Sequence, residues 1–559
     1  MNHAVKPLPI GISDYKKIIE NGCYYVDKTL LIQELLSVKD EVTLLCRPRR
    51  FGKTINLSML QYFFEKTSKS HEYLFTDKLV WQDEGAREHQ GKYPVIFVSF
   101  KDVKEKTFES AYKKVINLII DEFKRHESAL LNNLDPDEYK KYRAFVEKTA
   151  DQVDYAMSLL FLSQILHKAY TRPVIVLLDE YDAPIHAAYV HGYYREMIDF
   201  MRGLHSAVLK DNLNLERGVL TGILRTAKEG IFSGLNNLIV CTLLSDQYAD
   251  KFGFTESEVV RLLTDQQVTV PVDDITAWYN GYRAGEDTLL YNPWSILQCA
   301  KSKGKLMPYW ANTSSNDILR ELIVESSGEI KGELELLLQH NKFDKVIEEE
   351  FTFSDINFSP NAIWSLLFFS GYITYSKRTL TNLGKYSCSL RLPNREIEGL
   401  YKNFIEMVFA QAFTSDSKIK DFFAALVAGD VDVVQELLQN FVRNSMSFHD
   451  VANPDPEQSY HLFVLGMLVT LEGRYTVRSN RESGYGRYDI MLIPHDKQQP
   501  GVVVEFKKIL RQTLEEAAES ALQQIQERQY AAELHAQGVA TVISYGIAFQ
   551  GKQVLVKMR

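Results

Sequence analysis

The sequence predicts three parts: an α/β domain built on a parallel sheet, a mostly helical middle region, and a smaller second α/β domain. Their expected bounds are 1–235, 236–445 and 446–559. Apolar runs alternate with helical patterns in the first part, helical periodicity dominates the second, and a turn-rich segment, Ala452–Pro456, precedes the third. Several domains are expected because a domain usually holds roughly 100–200 residues and this chain has 559.

The first part contains short apolar runs that are rich in branched residues and nearly continuous. Such runs are typical of strands buried on both faces of a parallel sheet. Helices are expected between them, and alternation of strands with helices indicates a doubly wound α/β domain. The predicted strands are Val42–Cys46, Pro94–Phe100, Val174–Leu178 and Val219–Gly222, and the predicted helices include Thr54–Glu65 and Tyr155–Ala169.

The middle part carries aromatic clusters at Trp278–Tyr282, Tyr291–Trp294 and Trp364–Tyr372. We expect these rings to form hydrophobic core, the usual place for large aromatic side chains. The stretch Trp364–Thr374 followed by Tyr386–Leu392 has the pattern of a helix and then a β-ribbon, as in a winged helix.

The third part has the predicted order α-β-β-α-β-β in about a hundred residues. Helical and strand patterns alternate there with period 3.6 and period 2. The predicted elements are a helix at Ser459–Leu471, strands at Arg487–Ile493 and Val502–Lys507, a helix at Thr513–Ala531, and strands at Val539–Ile543 and Gln553–Lys557.

Composition limits the classes of function. A net charge of −9 argues against a wholly basic nucleic-acid coat, although it permits a local basic groove. The five cysteines are scattered without a CxxC pair, and no secretory signal is evident at the N-terminus, so a reducing cytoplasm is expected. No apolar run approaches the roughly 18–20 residues that span a bilayer, so no membrane partner is expected.

The first candidate site follows the strand Val42–Cys46. The sequence RPRRFGKT at Arg47–Thr54 matches the P-loop pattern GxxxxGK[ST], except that arginine stands at the position of the first glycine. In such a loop the backbone and helix N-terminus cradle phosphates, lysine reaches the β- and γ-phosphates, and threonine holds Mg²⁺. ATP and Mg²⁺ are therefore the expected cofactors, bound by Arg50, Phe51, Gly52, Lys53 and Thr54; the alternative is an ordinary strand–turn–helix.

A second apolar strand ends in the acids Asp179 and Glu180, as in a Walker B motif. Asp179 is predicted to bind Mg²⁺ through water, and Glu180 to polarise the attacking water as a catalytic residue. The alternative is a solvated acidic loop after a sheet strand. Arg225, with Lys228 just beyond it, follows the strand Val219–Gly222 and is predicted to contact the γ-phosphate; the alternative is a surface arginine.

The second candidate site consists of Asp489, Glu505 and Lys507. Residues two apart on a strand share a face, and pairing of the two strands brings the two carboxylates together. Two carboxylates can share Mg²⁺ or Mn²⁺, and the lysine can activate water at a phosphate. This is the D-x(n)-ExK layout of PD-(D/E)xK nucleases, with tyrosine in place of the proline; the alternative is a surface ion-pair cluster.

Further residues are candidates for the second site. Glu457 is a predicted third metal ligand, although an acid at a helix start is equally explained by the helix dipole. Gln524, Gln526 and Tyr530 lie on the following helix, where they either contact the DNA backbone or a metal-bound water, or form a solvated face.

The chain resembles, from end to end, bacterial and archaeal proteins that join an AAA-ATPase-like domain to a PD-(D/E)XK nuclease-superfamily domain. That resemblance implies one ATP-binding module and one nuclease-like module, and Arg47 fits these proteins' own variant of the P-loop. The segments that carry the resemblance are PIG at Pro9–Gly11, YVDKT at Tyr25–Thr29, RPRRFGKT at Arg47–Thr54, LDEYD at Leu178–Asp182, TGILR at Thr221–Arg225, FSGLNN at Phe232–Asn237, WYNGY at Trp278–Tyr282 and RSNRESGYGRYD at Arg478–Asp489.

Two functions are compatible with these motifs. The first is an ATP-regulated hydrolase, both ATPase and metal-dependent nuclease, in which Asp489, Glu505 and Lys507 cut nucleic acid. The second is a nucleotide-dependent switch whose nuclease fold recognises nucleic acid or protein without cutting. The retained acid–acid–lysine set favours the first. DNA is preferred over RNA as the partner, and a homo-oligomer is compatible with an ATPase that uses a neighbour's arginine.

Overall fold

A computed structural model describes residues 5–225, 235–310, 328–352, 355, 359–445, 456–483, 486–509 and 512–559. The chain divides into two compact units, each formed by two segments. The first unit contains Met1–Asn312 and Asp344–Glu396, and the second contains Thr313–Phe343 and Ile397–Arg559. The region 236–445 is thus shared between the two units.

The first unit is built on a five-stranded sheet with the order β2-β3-β4-β1-β5, and every pairing in it is parallel. The four predicted strands of a parallel sheet are confirmed. The fifth strand starts beyond residue 235, the end expected for the first part. The strands are β1 at Val42–Cys46, β2 at Val95–Ser99, β3 at Val174–Asp179, β4 at Leu215–Gly222 and β5 at Leu238–Cys241.

Helices accompany this sheet along the chain, as alternation of strands and helices predicts. β1 and β3 are buried along their whole length, which explains why their sequences are continuously apolar. The helices up to β4 are Tyr15–Glu20, Leu30–Ser37, Lys53–Phe64, Glu84–His89, Phe108–Arg125, Glu127–Leu130, Pro136–Val146, Gln152–Ala156, Ser158–Tyr170, Ala183–His191 and Tyr194–Leu209, with short 3₁₀ turns at Glu72–Leu74 and Leu79–Gln82.

In the rest of the first unit, the described residues form two small antiparallel groups of strands and four helices. A hairpin pairs β6 with β7, and a three-stranded sheet has the order β8-β10-β9. The predicted helix followed by a β-ribbon is confirmed. The strands are β6 at Tyr282–Ala284, β7 at Thr288–Leu290, β8 at Phe343–Ile347, β9 at Thr374–Leu380 and β10 at Tyr386–Arg391; the helices are Glu256–Asp265, Val272–Tyr279, Pro293–Lys301 and Pro360–Ser370.

Most of the predicted aromatic core is buried. Tyr279, Tyr282 and Trp364 are almost fully shielded from solvent, whereas Trp278 and Trp294 remain partly exposed. The partial exposure of Trp294 matters because this ring lies beside the first candidate site.

The second unit combines a five-stranded mixed sheet with helices. Its strands follow in chain order, β13 and β14 run parallel, and the other neighbours are antiparallel. The strands are β11 at Tyr475–Ser483, β12 at Gly486–Pro494, β13 at Gly501–Lys508, β14 at Val542–Gln550 and β15 at Gln553–Met558; the helices are Gly328–Leu338, Arg395–Phe413, Asp416–Ala428, Val431–Ser445, Pro456–Thr470, Leu514–Glu527 and Ala532–Ala536.

Within 456–559, the described elements differ from the expected α-β-β-α-β-β order by an added strand, β11, and an added short helix, Ala532–Ala536. The predicted strand Val539–Ile543 overlaps β14 only at its last two residues. β11 pairs with β12 along nearly its whole length and forms an edge of the sheet. Its sequence, YTVRSNRES, lacks a continuous apolar run, because an edge strand needs less burial than a central one. Hydrophobic periodicity therefore did not reveal it.

In the portions of the chain that the structure describes, no helix is both long enough and apolar enough to cross a membrane.

Candidate functional site

The first candidate site lies where the parallel strands of the first unit end. In parallel sheets the carboxyl ends of neighbouring strands meet at one edge, where ligands bind. The loop after β1 reaches the helix Lys53–Phe64 through Gly52, whose φ of 88° lies in the left-handed region that glycine adopts without strain. The helix N-terminus therefore follows directly from this loop, with its unpaired N–H groups at the sheet edge.

Lys53 is buried against its own loop. Its Nζ donates to the carbonyl oxygens of Arg47 at 3.1 Å and of Pro48 at 3.0 Å. An ammonium carries three donors and no acceptor, so the loop carbonyls satisfy most of its hydrogen-bonding capacity. The predicted phosphate-binding cation is thus held inside the loop, at the start of the helix.

Asp179 at the end of β3 accepts hydrogen bonds from three hydroxyl groups. Thr54 donates to its Oδ2 at 2.9 Å, Ser99 donates to the same oxygen at 2.8 Å, and Thr221 donates to Oδ1 at 2.8 Å. Burial, and then the charge of Glu180, raises the pKa of the Asp179 carboxyl, while the hydroxyl groups oppose that shift. The two predicted Mg²⁺ ligands, Thr54 and Asp179, therefore lie in direct contact.

Sequence reasoning missed Ser99 and Thr221. Ser99 is the last residue of β2 and is paired in register with Asp179, while Thr221 is near the end of β4. Once the strand order is known, these are the hydroxyl groups that flank the end of β3. A polar residue at the end of an apolar strand was the available signal.

Glu180 and Asp182 occupy different environments. Glu180 has a φ of 49°, is half-buried, and its N–H donates to Oγ1 of Thr221 at 3.4 Å. Asp182 is buried, and its Oδ2 accepts from the backbone N–H groups of Ile223 at 2.7 Å and Leu224 at 3.0 Å. Burial raises the pKa of Asp182. Asp182 therefore anchors the turn after β4, whereas Glu180, the predicted catalytic residue, is only partly buried.

Arg47, at the position of the missing glycine, is completely buried. Its guanidinium donates to the carbonyls of Cys46, Cys241 and Tyr248, each at 2.9 Å, and lies over the ring of Phe252 at 5.3 Å. Burial lowers the pKa of Arg47 to about 10. The guanidinium thus ties the start of the loop to β5 and the segment after it.

Arg50 and Phe51 contact the aromatic residues beyond β5. The Arg50 guanidinium lies 4.5 Å from the ring centre of Trp294, a cation–π contact. Phe51 is buried, and its ring meets that of Tyr282 edge-on at 5.1 Å. Both predicted loop residues therefore connect the P-loop to the middle part of the chain.

Arg225, just after β4, is partly exposed and forms an ion pair with Glu350 at 2.8 Å. The predicted contact of Arg225 with a γ-phosphate would therefore have to compete with this carboxylate. Lys228 and the segment Phe232–Gly234 lie outside the described residues.

The second candidate site lies where β12 and β13 pair. Ile490 is opposite Val504, which puts Asp489 across from Glu505 in the antiparallel register. The N–H of Phe506 donates to Oδ2 of Asp489 at 2.7 Å. The two predicted carboxylates are thereby brought to one site, as strand pairing predicted.

Lys507 and Gln524 complete a connected network around Glu505. Lys507 Nζ lies 3.4 Å from Oε1 of Glu505 and donates to the amide oxygen of Gln524, while the Gln524 amide donates to the same Glu505 oxygen. The Gln524 amide also lies 3.1 Å from the hydroxyl of Tyr530. Gln524 comes from the helix Leu514–Glu527, so this helix holds the lysine and the acid in one arrangement.

The other oxygen of Glu505, Oε2, is buried without a hydrogen-bond partner. Burial, and then repulsion from Asp489, raises the pKa of Glu505 to about 7, while Lys507 opposes that shift. A buried carboxylate oxygen without a partner is costly unless something occupies it. Carboxylate oxygens are the ligands that Mg²⁺ prefers, so Asp489 and Glu505 suit a divalent cation.

Gln526, a predicted contributor, does not join this site. Gln526 is exposed, and its amide oxygen accepts from Arg559 at 3.1 Å instead, because it faces a different side of its helix from Gln524. The backbone of Glu457 belongs to the helix Pro456–Thr470, but its side chain lies outside the described residues. Among the described residues, no group of three or more His, Cys, Asp and Glu side chains could hold a metal ion.

Comparison with known proteins gives one family match over the segment that contains each candidate site. Residues 9–232 match the family described as predicted AAA-ATPase, and residues 455–559 match the PD-(D/E)XK nuclease superfamily. A protein of Azotobacter chroococcum mcd 1, named "Uncharacterized protein in vnfD 5'region", is 27% identical over 554 residues, covering 95% of this chain and 94% of the relative. The chain is therefore a two-module protein, with an AAA-ATPase-like domain followed by a PD-(D/E)XK nuclease-superfamily domain.

Proposed function

We propose that this protein binds and hydrolyses ATP at the P-loop and cleaves nucleic-acid phosphodiesters at Asp489, Glu505 and Lys507, with nucleotide state controlling cleavage. The observation that carries the proposal is the orphaned Oε2 of Glu505, beside a second carboxylate and a lysine. An ordinary surface ion-pair cluster would leave no carboxylate oxygen both buried and unsatisfied.

At the P-loop, the proposed roles follow from the contacts. Lys53 exchanges the carbonyls of Arg47 and Pro48 for the β- and γ-phosphates, and the helix N-terminus supports the same anion. Thr54 and Asp179 are the residues that would hold Mg²⁺, which supplies charge neutralisation to the phosphates. Glu180, free of the ties that hold Asp182, orients the attacking water.

At the second site, Asp489 and Glu505 are the residues that would hold Mg²⁺ or Mn²⁺, which polarises the scissile phosphate. Lys507 stabilises negative charge on the attacking water or on the phosphate oxygens. Gln524 keeps Lys507 and Glu505 in one geometry through its two hydrogen bonds. Ionised Glu505 is required, since only the carboxylate form binds the cation.

We propose DNA, in preference to RNA, as the polymer, and the cytoplasm as the place of action. A reducing compartment suits the five cysteines, which are all buried and free. Cleavage assays with DNA and with RNA under the same conditions decide between the two polymers.

The test is incubation of the full-length protein with DNA and RNA substrates, Mg²⁺ or Mn²⁺, and ATP present or absent. Cleavage is expected for the wild type and for Glu527→Gln, an exposed control on the helix that carries Gln524. Glu505→Gln, which keeps the shape of the side chain, is expected to lose cleavage. Retained cleavage in Glu505→Gln would show that this site is not the nuclease.

The P-loop is tested separately by calorimetry with ATP and Mg²⁺. Lys53→Ala is expected to abolish binding, and Lys66→Ala, at an exposed position just after the same helix, is expected to bind as the wild type does. Equal affinity in Lys53→Ala and wild type would reject the assignment of the P-loop.

A further inference from the structure

The turn between β9 and β10 exposes two leucines at the tip of the hairpin 374–391. Leu380 is 66% exposed and Leu383 is 86% exposed. Among the described residues, Val153 at 74% and Leu213 at 94% are exposed to a similar degree, but each lies far from this turn in the sequence. The turn is ordered by backbone hydrogen bonds between Thr381 and Lys385 and from Gly384 to Thr381. Single exposed leucines are ordinary, but two on one ordered tip indicate a contact surface.

The same hairpin is basic in an acidic protein. Residues 374–391 contain Lys377, Arg378, Lys385 and Arg391 and no aspartate or glutamate, whereas the whole chain has a net charge of −9. A local concentration of cations on such a chain attracts an anionic partner.

Two of these cations are available to a partner. Arg378 is largely buried, and both its carboxylate contacts to Asp246 are at 3.0 Å, so it anchors the hairpin. Lys377 is exposed and forms no ion pair with any described residue, and Lys385 is exposed with only a 3.9 Å contact to Glu348. The free positive charge therefore lies on the outer part of the hairpin.

The outer face also carries hydroxyl groups. Side chains two apart on a strand share a face, so Lys377 lies on the same face as Thr379. Ser387 and Ser389 are the antiparallel partners of Thr379 and Lys377. Lysine, serine and threonine are among the side chains that contact nucleic-acid phosphates.

We propose that this hairpin is a docking element for double-stranded DNA, with Lys377 and Lys385 contacting phosphates and Leu380 and Leu383 meeting the base edges in a groove. The projecting tip of a β-hairpin can enter the major groove of B-DNA, where apolar side chains contact the methyl group of thymine. An anionic membrane is a poorer match, because the rest of the tip, Thr381 and Asn382, is polar and contains no aromatic residue.

The test is fluorescence anisotropy of labelled duplex DNA with the full-length protein in EDTA and without ATP, at several salt concentrations. Without metal the readout is independent of cleavage, so the effect of the hairpin variants on binding can be measured even if the proposed nuclease function is wrong. Lys377→Ala/Lys385→Ala is expected to reduce the salt slope of log K by about two, because two phosphate contacts are lost.

The leucine pair has a different expected signature. Leu380→Ser/Leu383→Ser should weaken binding at least about tenfold with an unchanged salt slope, since apolar contacts release no counterions. Leu213→Ser, at a leucine that is more exposed than either hairpin leucine, and Lys92→Ala, at an exposed lysine elsewhere, are the controls. Unchanged binding in both hairpin variants overturns the proposal, and so does leucine-dependent capture of the protein by phosphatidylserine vesicles in place of DNA.

Discussion

The protonation of Glu505 links the proposed binding of a metal ion to pH. Burial and Asp489 raise the pKa of Glu505 from the ordinary value of 4.5 to about 7. Between these two pH values, the folded, metal-free protein keeps a proton on Glu505 that the unfolded chain releases. A carboxyl group with a raised pKa contributes stability at low pH that is lost as the pH rises from about 4.5 to about 7. A bound cation removes that repulsion.

The first prediction concerns pH. Metal affinity of the wild type, measured by calorimetry with Mg²⁺ or Mn²⁺, is expected to rise about tenfold per pH unit below about 7 and to level off above it, because the proton and the cation compete for Glu505. Glu505→Gln should bind metal weakly and without this dependence. An affinity that does not change between pH 5 and pH 8 would contradict the assignment of Glu505 as a ligand.

The second prediction concerns Glu180. Glu180→Gln is expected to bind ATP normally and to hydrolyse it roughly 10²–10⁴-fold more slowly, the usual cost of losing a positioned general base. Binding is measured by calorimetry and turnover by phosphate release. Asp182→Asn is the matched comparison, and it is expected to lower the thermal midpoint because Asp182 accepts two buried N–H bonds. Full turnover in Glu180→Gln would transfer the base role to another group.

At the scale of elements, the carboxyl ends of the parallel strands lie near the P-loop. The segment that follows β8 of the three-stranded sheet contacts residues at these strand ends. Glu349 and Glu350, just after β8, pair with Thr242 after β5 and with Arg225 after β4. The acidic segment after β8 is therefore tied to the strand ends where nucleotide is proposed to bind.

The third prediction follows from that contact. Glu350→Gln is expected to raise ATP affinity severalfold and to leave ADP affinity unchanged, because the γ-phosphate no longer competes with a carboxylate for Arg225. Glu349→Gln, next to it but bonded to Thr242, is the control for the loss of one charge. Calorimetry with both nucleotides makes the measurement, and equal gains for ATP and ADP would show that Arg225 does not respond to the γ-phosphate.

At the scale of the whole molecule, the chain forms two compact units, each with its own sheet and core. In the second unit, the helices Arg395–Phe413 and Pro456–Thr470 approach closely at Gly466. A Cβ added there would lie 2.1 Å from the ring of Phe409, which leaves no room for a side chain. This contact makes it possible to perturb one unit alone.

The fourth prediction is that Gly466→Ala lowers the thermal midpoint of the second unit by roughly 2–10 °C, from an overpacking cost of about 1–3 kcal/mol. The transition of the first unit should not move. Gly399→Ala is the control, since it lies in a helix of the same unit with open space at its Cβ and should be neutral or slightly stabilising. Differential scanning calorimetry measures both transitions, and a single transition that shifts as a whole would argue against independent units.

Strongly apolar strands could be predicted from the sequence, whereas a polar strand at the edge of a sheet could not. β1 and β3 are buried throughout, so their apolar runs are unambiguous, and the ribbon of β9 and β10 follows a clear helix. β11 was missed because its edge position leaves a polar pattern. Gln524 and Gln526 lie on the same helix but on different sides of it. Gln524 therefore contacts Glu505, whereas Gln526 contacts Arg559.

The sequence by itself determined the two-module organisation and the candidate catalytic and binding residues, because the P-loop and the D-x(n)-ExK motif are local patterns. Only the tertiary structure decided their partners. Ser99 reaches Asp179 across 80 residues, and Gln524 reaches Glu505 across 19, through strand order and helix packing that no local pattern encodes. The burial that leaves Glu505 Oε2 without a partner is likewise a product of packing, since desolvation depends on every element that surrounds a group.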